Sequence, residues 1–205
     1  MGKYKTEQEA FWAGDFGNEY CKRNNSKELM ATKIAFYSKV LSFTKGVNTC
    51  IEFGANIGLN LEAIGRLLPS CGLSAVEINK AAVAELDRLA DIKIYEQSIL
   101  DFNVDYQRDL SIISGVLIHI NPDVLPSVYD ILYNSSRKYI LIAEYYNPTP
   151  VEIEYRGNKG KLFKRDFAGE IMDKHPDLEL IQYGFIYHRD NIFPQDDFTW
   201  FLLSK

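Results

Sequence analysis

Cysteine is scarce in this 205-residue chain: Cys21, Cys50 and Cys71 are the whole supply. Their number is odd and no C-x-x-C pair occurs, so they read as reduced thiols of a cytoplasmic protein, and no metal framework is expected. Long apolar runs are missing too; none approaches the roughly 18 residues of a membrane span. The opening M-G-K-Y-K-T-E-Q-E holds no apolar core of a signal peptide, although Gly2 formally matches a myristoylation pattern. Positive charge is in deficit: 23 Lys and Arg face 28 Asp and Glu, for a net charge of −5. A general nucleic-acid binder needs a basic surface and is excluded on that ground. Internal repeats and low-complexity linkers are absent, which leaves one domain over 1–205 with a single core. What the chain has in quantity is rings, thirteen Tyr and twelve Phe. They suit either a core or a ring-lined pocket.

The apolar pattern is that of an α/β protein. Ser26 is placed to cap a helix over 27–44, with Leu29, Ile34, Tyr37 and Leu41 at helical spacing. Strand-like runs follow at 49–54, 73–78, 92–96, 110–116 and 139–145, separated by helical segments at 58–69, 79–90 and 123–136. This alternation predicts a parallel sheet with helices on both faces. I-I-S-G-V-L-I and Y-I-L-I-A are almost wholly apolar, as strands buried on both faces are. The spacing predicts a further helix over 161–175. It is followed by an antiparallel hairpin, 178–187 and 198–203, with H-R-D-N-I-F-P-Q-D-D as its loop. The expected architecture is a Rossmann-like, seven-stranded, mostly parallel sheet with one reversed strand. Residues 1–25 are a possible N-terminal lid, and 146–177 a substrate-side insertion and helix.

The stretch T-C-I-E-F-G-A-N-I-G-L-N (49–60) runs from a strand through a glycine turn into a helix. Gly54 and Gly58 let the backbone approach a ligand, and the helix aims its free N–H groups there. Asn56 stands where a pyrophosphate-binding turn wants a further glycine, which disfavours a dinucleotide. Glu52 would repel phosphate but attract an ammonium. Glu77 ends the second strand, 23 residues after Gly54, where an acid accepts hydrogen bonds from ribose hydroxyls, with Ile78 beside the base. A ribose, an adenine and an ammonium without a pyrophosphate describe S-adenosylmethionine. Against this stands the plain reading of a tight turn and a solvated strand-end acid.

These residues carry a family resemblance. E-F-G-A-N-I-G-L-N resembles the first motif of class I S-adenosylmethionine-dependent methyltransferases, V-E-I-N the second and Q-S-I-L-D-F the third. D-L-S-I-I-S-G-V-L-I-H-I-N-P-D resembles the fourth; together they span about 49–145. The resemblance implies S-adenosylmethionine as cofactor and S-adenosylhomocysteine as product. It implies a donor site of Glu52, Gly54, Ala55, Asn56, Gly58, Glu77, Ile78, Ser98, Ile99 and Gly115. Ser98 holds a place where the family often has an acid for the adenine amine; Asp101 is then a structural or capping acid. A narrower resemblance rests on T-E-Q-E-A-F-W-A-G-D-F-G-N-E-Y-C-K-R-N, I-A-E-Y-Y-N-P-T-P, E-Y-R-G-N-K-G-K-L-F-K-R-D-F-A-G-E and the terminal segment ending F-T-W-F-L-L-S-K. Together they are similar to the pseudaminic acid biosynthesis-associated methylases of bacterial surface-glycan pathways. That implies methylation at O or N of a nonulosonic acid, of pseudaminic or legionaminic type, or of its precursor. A non-catalytic, S-adenosylmethionine-binding regulator of such a pathway is the alternative.

Methyl transfer needs alignment of nucleophile, methyl carbon and sulfur, with a base where the nucleophile is a hydroxyl. His119, after the fourth strand, has the pKa range of a base; it is otherwise hydrogen-bonded to the loop before Pro122, or orients the donor. In E-Y-Y-N-P, Glu144 and Tyr146 are expected in the pocket, with Tyr145 and Asn147 toward a polar substrate. Between Arg156 and Arg165 lie five basic residues and no acid. This is either a solvated face or, through Arg156, Lys164 or Arg165, a clamp for an anionic sugar. Trp12 and Tyr20 would cover the donor and Arg23 reach its carboxylate, unless the segment is simply a stapled helix. His188, Arg189, Asp190, Asp196 and Asp197 crowd the last loop, where two acids would bind a cationic amidine or cap the hairpin.

Overall fold

The nearly unbroken apolar runs lie in the middle of one sheet, as burial on both faces demands. The computed structural model describes residues 4–23, 27–89 and 91–205; the myristoylation match at Gly2 and the cap at Ser26 lie outside them. Helices α1 (Glu7–Ala13), α2 (Asp15–Arg23) and α3 (Lys27–Leu41) come first. There follow β1 (Thr49–Phe53), α4 (Leu59–Leu67), β2 (Gly72–Glu77), α5 (Lys80–Leu86), β3 (Ile92–Glu96), β4 (Arg108–Ser114), α6 (Leu125–Ser135) and β5 (Ser136–Glu144). The chain then forms β6 (Val151–Tyr155), β7 (Asn158–Lys164), α7 (Phe167–Lys174), β8 (Glu179–Phe185) and β9 (Thr199–Ser204).

The sheet has seven strands in the order β3-β2-β1-β4-β5-β9-β8. β1 to β5 run parallel, β9 is antiparallel to β5, and β8 pairs antiparallel with β9. The fold is therefore the expected α/β sheet, with β9 as its one reversed strand. Strand alternation sends Ile51, Phe53, Ile113, Ile142 and Leu203 to the face covered by α6 and α7. Cys50, Ile112, Leu141, Trp200 and Leu202 go to the face covered by α3 and α4. The chain moves outward from β1 to β3 and then returns to place β4 on the other side of β1. Such a switch opens a crevice at the carboxyl ends of the strands, where ligands bind.

One expected element is corrected. The helix read over 161–175 starts only at Phe167; residues 158–164 are strand β7, paired with β6 in a separate two-stranded sheet. Asp166 caps the shortened helix by accepting the Gly169 N–H at 2.8 Å. The hairpin turns on Arg156 and Gly157, with φ of 49° and 81°, the double positive φ that a two-residue hairpin loop requires. Arginine at the first of these positions hides the turn from a sequence reading. The polar opening of the chain also resolves into two helices, the first fixed by a capping box between Thr6 and Glu9.

Candidate functional site

The turn after β1 is held in left-handed backbone, with φ of 72° at Gly54, 48° at Asn56 and 83° at Gly58. A Cβ at Gly54 would sit 2.6 Å from Val116 Cγ2, so glycine is required there sterically as well as conformationally. Asn56 tolerates positive φ better than most side chains. Its N–H donates to Glu77 Oε2 at 2.7 Å, and the Asn79 N–H donates to Glu77 Oε1 at 2.7 Å. Glu77 is buried at the end of β2. Burial raises its pKa, and the backbone N–H groups of Asn79 and Asn56 oppose the rise. A carboxylate has about four acceptor positions, so both oxygens keep capacity for a ligand's hydroxyl groups. Beneath the turn, Glu52 is buried and accepts from Asn60 Nδ2 at 2.5 Å. Burial lifts its pKa to about 8, against the pull of Asn60 and the Lys33 ammonium.

A cavity of about 490 Å³ opens above this floor, a volume typical of small-molecule sites. Twelve residues singled out from the sequence line it together: Trp12, Tyr20, Gly54, Ala55, Asn56, Glu77, Ile78, Ser98, Ile99, Gly115, His119 and His188. Glu52 and Gly58 are not in the lining. Gly58 begins α4, and a Cβ there would meet Leu86 and Leu89 at 2.6 and 2.7 Å. Arg23 ends α2, and its side chain is outside the described part of the structure. Asp196, one of the two acids read as binding an amidine or capping the hairpin, lines it too. Glu9, Lys33, Asn60, Asn79 and Phe198 also line the cavity; the sequence reading did not place them there, and only the T-x-x-E capping pattern gave any hint of Glu9.

His119 closes a 3₁₀ turn, Leu117–His119, just beyond β4. Its Nδ1 lies 2.5 Å from the Lys161 carbonyl oxygen. That oxygen only accepts, so the ring proton sits on Nδ1 and Nε2 is left as an acceptor. Of the alternatives to a base role, the bond to the loop before Pro122 is not the one made; Nδ1 bonds to β7 instead. The Trp12 and Tyr155 rings lie 4.6 and 4.8 Å from the imidazole. Burial lowers its pKa to about 4, so the ring is neutral near pH 7.

The residues of E-Y-Y-N-P and of the basic run are engaged differently. Glu144 is buried, and its Oε1 accepts from the N–H groups of Val116 and Leu117, both at 2.9 Å. Burial raises its pKa to about 7, opposed by those N–H groups. It supports the turn that carries His119 and is not part of the cavity lining. Tyr145 stacks on Phe198 at 5.0 Å, and the Asp196 carboxylate is among the groups that push its pKa up after burial itself. Tyr146 is exposed, with its ring 5.9 Å from Phe201. Asn147 Nδ2 donates to the Thr149 carbonyl at 2.5 Å. The basic run is spread over the hairpin. Lys161 pairs with Glu7 at 2.8 Å and Arg165 with Glu170 at 2.7 Å. Lys164 lies over the Tyr145 ring at 5.2 Å, and Arg156 over Tyr155 at 5.8 Å. None of Arg156, Lys164 and Arg165 lines the cavity. Of the two neighbouring acids in the last loop, Asp197 accepts from the His188 N–H at 2.9 Å, while Asp196 faces the cavity.

Neither a family model nor a curated protein sequence matches this chain. Solved structures do. A Burkholderia thailandensis 1,6-didemethyltoxoflavin-N1-methyltransferase, with S-adenosylhomocysteine bound, superposes at a TM-score of 0.71, with 12% identity over 100% of this chain and 92% of that one. The fold is that of the S-adenosylmethionine-dependent methyltransferases. The magnesium protoporphyrin IX methyltransferase of Synechocystis, with S-adenosylmethionine bound, gives 0.68 at 9% identity, covering 100% of both chains. The N-methyltransferase NodS of Bradyrhizobium japonicum, with S-adenosylhomocysteine, gives 0.65 at 12% identity over 93% of this chain and 99% of that one. Among the described residues no helix is long and apolar enough to cross a membrane.

Proposed function

We propose that this protein is an S-adenosylmethionine-dependent methyltransferase acting on a small molecule. One observation carries the reading: Glu77, at the end of β2, is braced by the N–H groups of Asn56 and Asn79 at the floor of a cavity at the sheet's switch point. Glu77 would hold the ribose hydroxyls, Ile78 and Ile99 the base, and the Gly54–Asn56 turn the amino-acid end. When bound, the cofactor supplies an electrophilic methyl group on a sulfonium. The residues present fit that group, because the cavity offers a carboxylate for ribose and no second glycine for a pyrophosphate.

His119 is the proposed base. The Lys161 carbonyl holds its proton on Nδ1, so Nε2 is free to take a proton from an acceptor as its new bond forms. Burial, which lowers its pKa to about 4, keeps the ring unprotonated near pH 7, so the Nε2 lone pair is open. Glu144 positions His119 by fixing the Val116–Leu117 backbone. Trp12 and Tyr20, from α1 and α2, screen the cavity from water.

For the acceptor we propose a small sugar acid of nonulosonic type, methylated at oxygen or nitrogen. The support is the sequence resemblance carried by the N-terminal, E-Y-Y-N-P, hairpin and terminal segments. The test is mass spectrometry of the pure protein with S-adenosylmethionine and nonulosonic acids, their precursors and their nucleotide-activated forms. A gain of one methyl on one of them is expected. Turnover on none of them removes the sugar assignment, and binding of S-adenosylhomocysteine without turnover of any small molecule favours the regulatory alternative.

A further inference from the structure

We propose that Glu9, on α1, is the acid that selects an exocyclic amine on the base of the bound nucleoside. The inference rests on the donor reading above and adds a residue from outside the sheet to it. The end of β3 offers Ser98 next to the nucleoside-binding edge, since the Gln97 N–H is tied to the Glu77 carbonyl at 3.0 Å. Ser98 carries no charge, and its Oγ already accepts the Leu100 N–H at 3.0 Å. Its hydroxyl proton is therefore turned outward, and it donates to Glu9 Oε1. Glu9 in this way brings a carboxylate to the end of a strand that has none of its own.

Helix capping alone does not account for this side chain. Its Oε2 accepts from the Thr6 N–H at 2.7 Å, completing the capping box. A box of this kind works at the surface, and works with glutamine. Glu9 is only 8% exposed, and it lines the cavity. Among the described residues no Lys or Arg forms an ion pair with it. Burying an unpaired carboxylate is costly unless hydrogen-bond donors satisfy it. Among the described residues three donors reach it, the Thr6 N–H, the Thr6 hydroxyl at 3.2 Å and Ser98. About four acceptor positions exist, so one remains for a donor arriving in the cavity. The neighbouring lining, Ile78, Ile99 and Leu100, is apolar and suits the faces of a flat ring. α1 is pinned in place by Lys5, which donates to the Leu100 carbonyl at 2.8 Å, and by Gln8, which donates to the Gly160 carbonyl at 2.9 Å. The ligand chemistry that fits is a purine with an amine edge, and a 6-oxo purine is disfavoured because it sets oxygen against oxygen.

The test compares dissociation constants of S-adenosylhomocysteine and its 6-oxo counterpart, S-inosylhomocysteine, by titration calorimetry. Wild type is expected to favour the amine by about tenfold or more, the effect of a hydrogen bond to a charged group. Glu9→Gln keeps the capping box but turns an NH₂ donor toward the base, and the preference is expected to shrink to about twofold or reverse. Ser98→Ala, which keeps the carboxylate, is expected to retain it. Absence of a preference in wild type overturns the proposal, as does an unchanged ratio in Glu9→Gln or a lost preference in Ser98→Ala. Should Glu9→Gln fail to fold, the wild-type and Ser98→Ala ratios decide. Failure of wild type to bind either nucleoside sinks the donor reading, and this inference with it. Binding without discrimination sinks this inference alone.

Discussion

Residues 49–119 and residues 144–165 border the same end of one sheet, yet they treat their functional side chains in opposite ways. In the first region Gly54, Asn56, Glu77, Ser98, Gly115 and His119 converge on one cavity. In the second, charged groups are engaged by the protein itself: Glu144 by two backbone N–H groups, Lys161 by Glu7 and Arg165 by Glu170. Parallel strands with a fixed crossover deliver their carboxyl ends to one place. A hairpin alternates its side chains between two faces, so a run of five basic residues does not become a clamp merely by being a run.

The largest expected effect breaks the first region. Glu77→Ala leaves the Asn56 and Asn79 N–H groups buried without an acceptor. A loss of roughly 2–4 kcal/mol in urea unfolding is expected, with S-adenosylhomocysteine binding weakened at least about a hundredfold, or about 3 kcal/mol. Unchanged affinity would leave the ribose without its holder.

Next is His119. Its Asn variant is expected to lose about a hundredfold in kcat while binding S-adenosylhomocysteine normally. It also reports on pH. The folded pKa of about 4 lies below the unfolded value, so the native state holds fewer protons between about pH 4 and 6.5. Its contribution to stability is present above that window and is lost as pH falls through it, by up to about 3 kcal/mol. Glu52 and Glu144, lifted to about 8 and about 7, act in the other direction, with stability falling as pH rises from about 4.5 to those values. The difference between wild-type and His119→Asn unfolding curves cancels the two glutamates. A flat difference from pH 4 to 7 would contradict the neutral, buried imidazole.

Gly54→Ala follows, at about 1–3 kcal/mol from its positive φ alone. Adding Val116→Ala should recover only the part due to the 2.6 Å contact, as thermal melts of the double variant would show. The smallest effect belongs to the second region. Arg156 sits in the hairpin turn away from the cavity, so Arg156→Ala is expected to change stability by no more than about 0.5 kcal/mol and to leave donor affinity unchanged. A tenfold rise in acceptor KM without a change in kcat would mean that the acceptor reaches the hairpin, and the contrast between the two regions would narrow.

The same contrast explains what could be read from the chain. Buried parallel strands announce themselves as apolar runs, and their carboxyl ends then follow from topology, so the turn, Glu77 and the reversed strand β9 were all legible. β6 and β7 were not, because V-E-I-E-Y and N-K-G-K-L-F-K mix charges with apolar residues and meet at an Arg-Gly turn. Glu9 was invisible for a different reason. Its partner Ser98 lies 89 residues away, and nothing local places one beside the other. Asp196 and Asp197 are adjacent and alike in type, and only the path of the loop sends one to the cavity and the other to His188.

The Gly160–Lys161 peptide works as an interlock. Gly160 receives Gln8, Lys161 reaches Glu7, and the Lys161 carbonyl decides which nitrogen of His119 carries its proton. A displacement of this strand that broke the Gln8 bond would put the His119 bond at risk as well, since the two accepting carbonyls belong to adjacent residues. In the proposed mechanism, the cover over the cavity and the tautomer that leaves Nε2 open thus both rest on two neighbouring carbonyls.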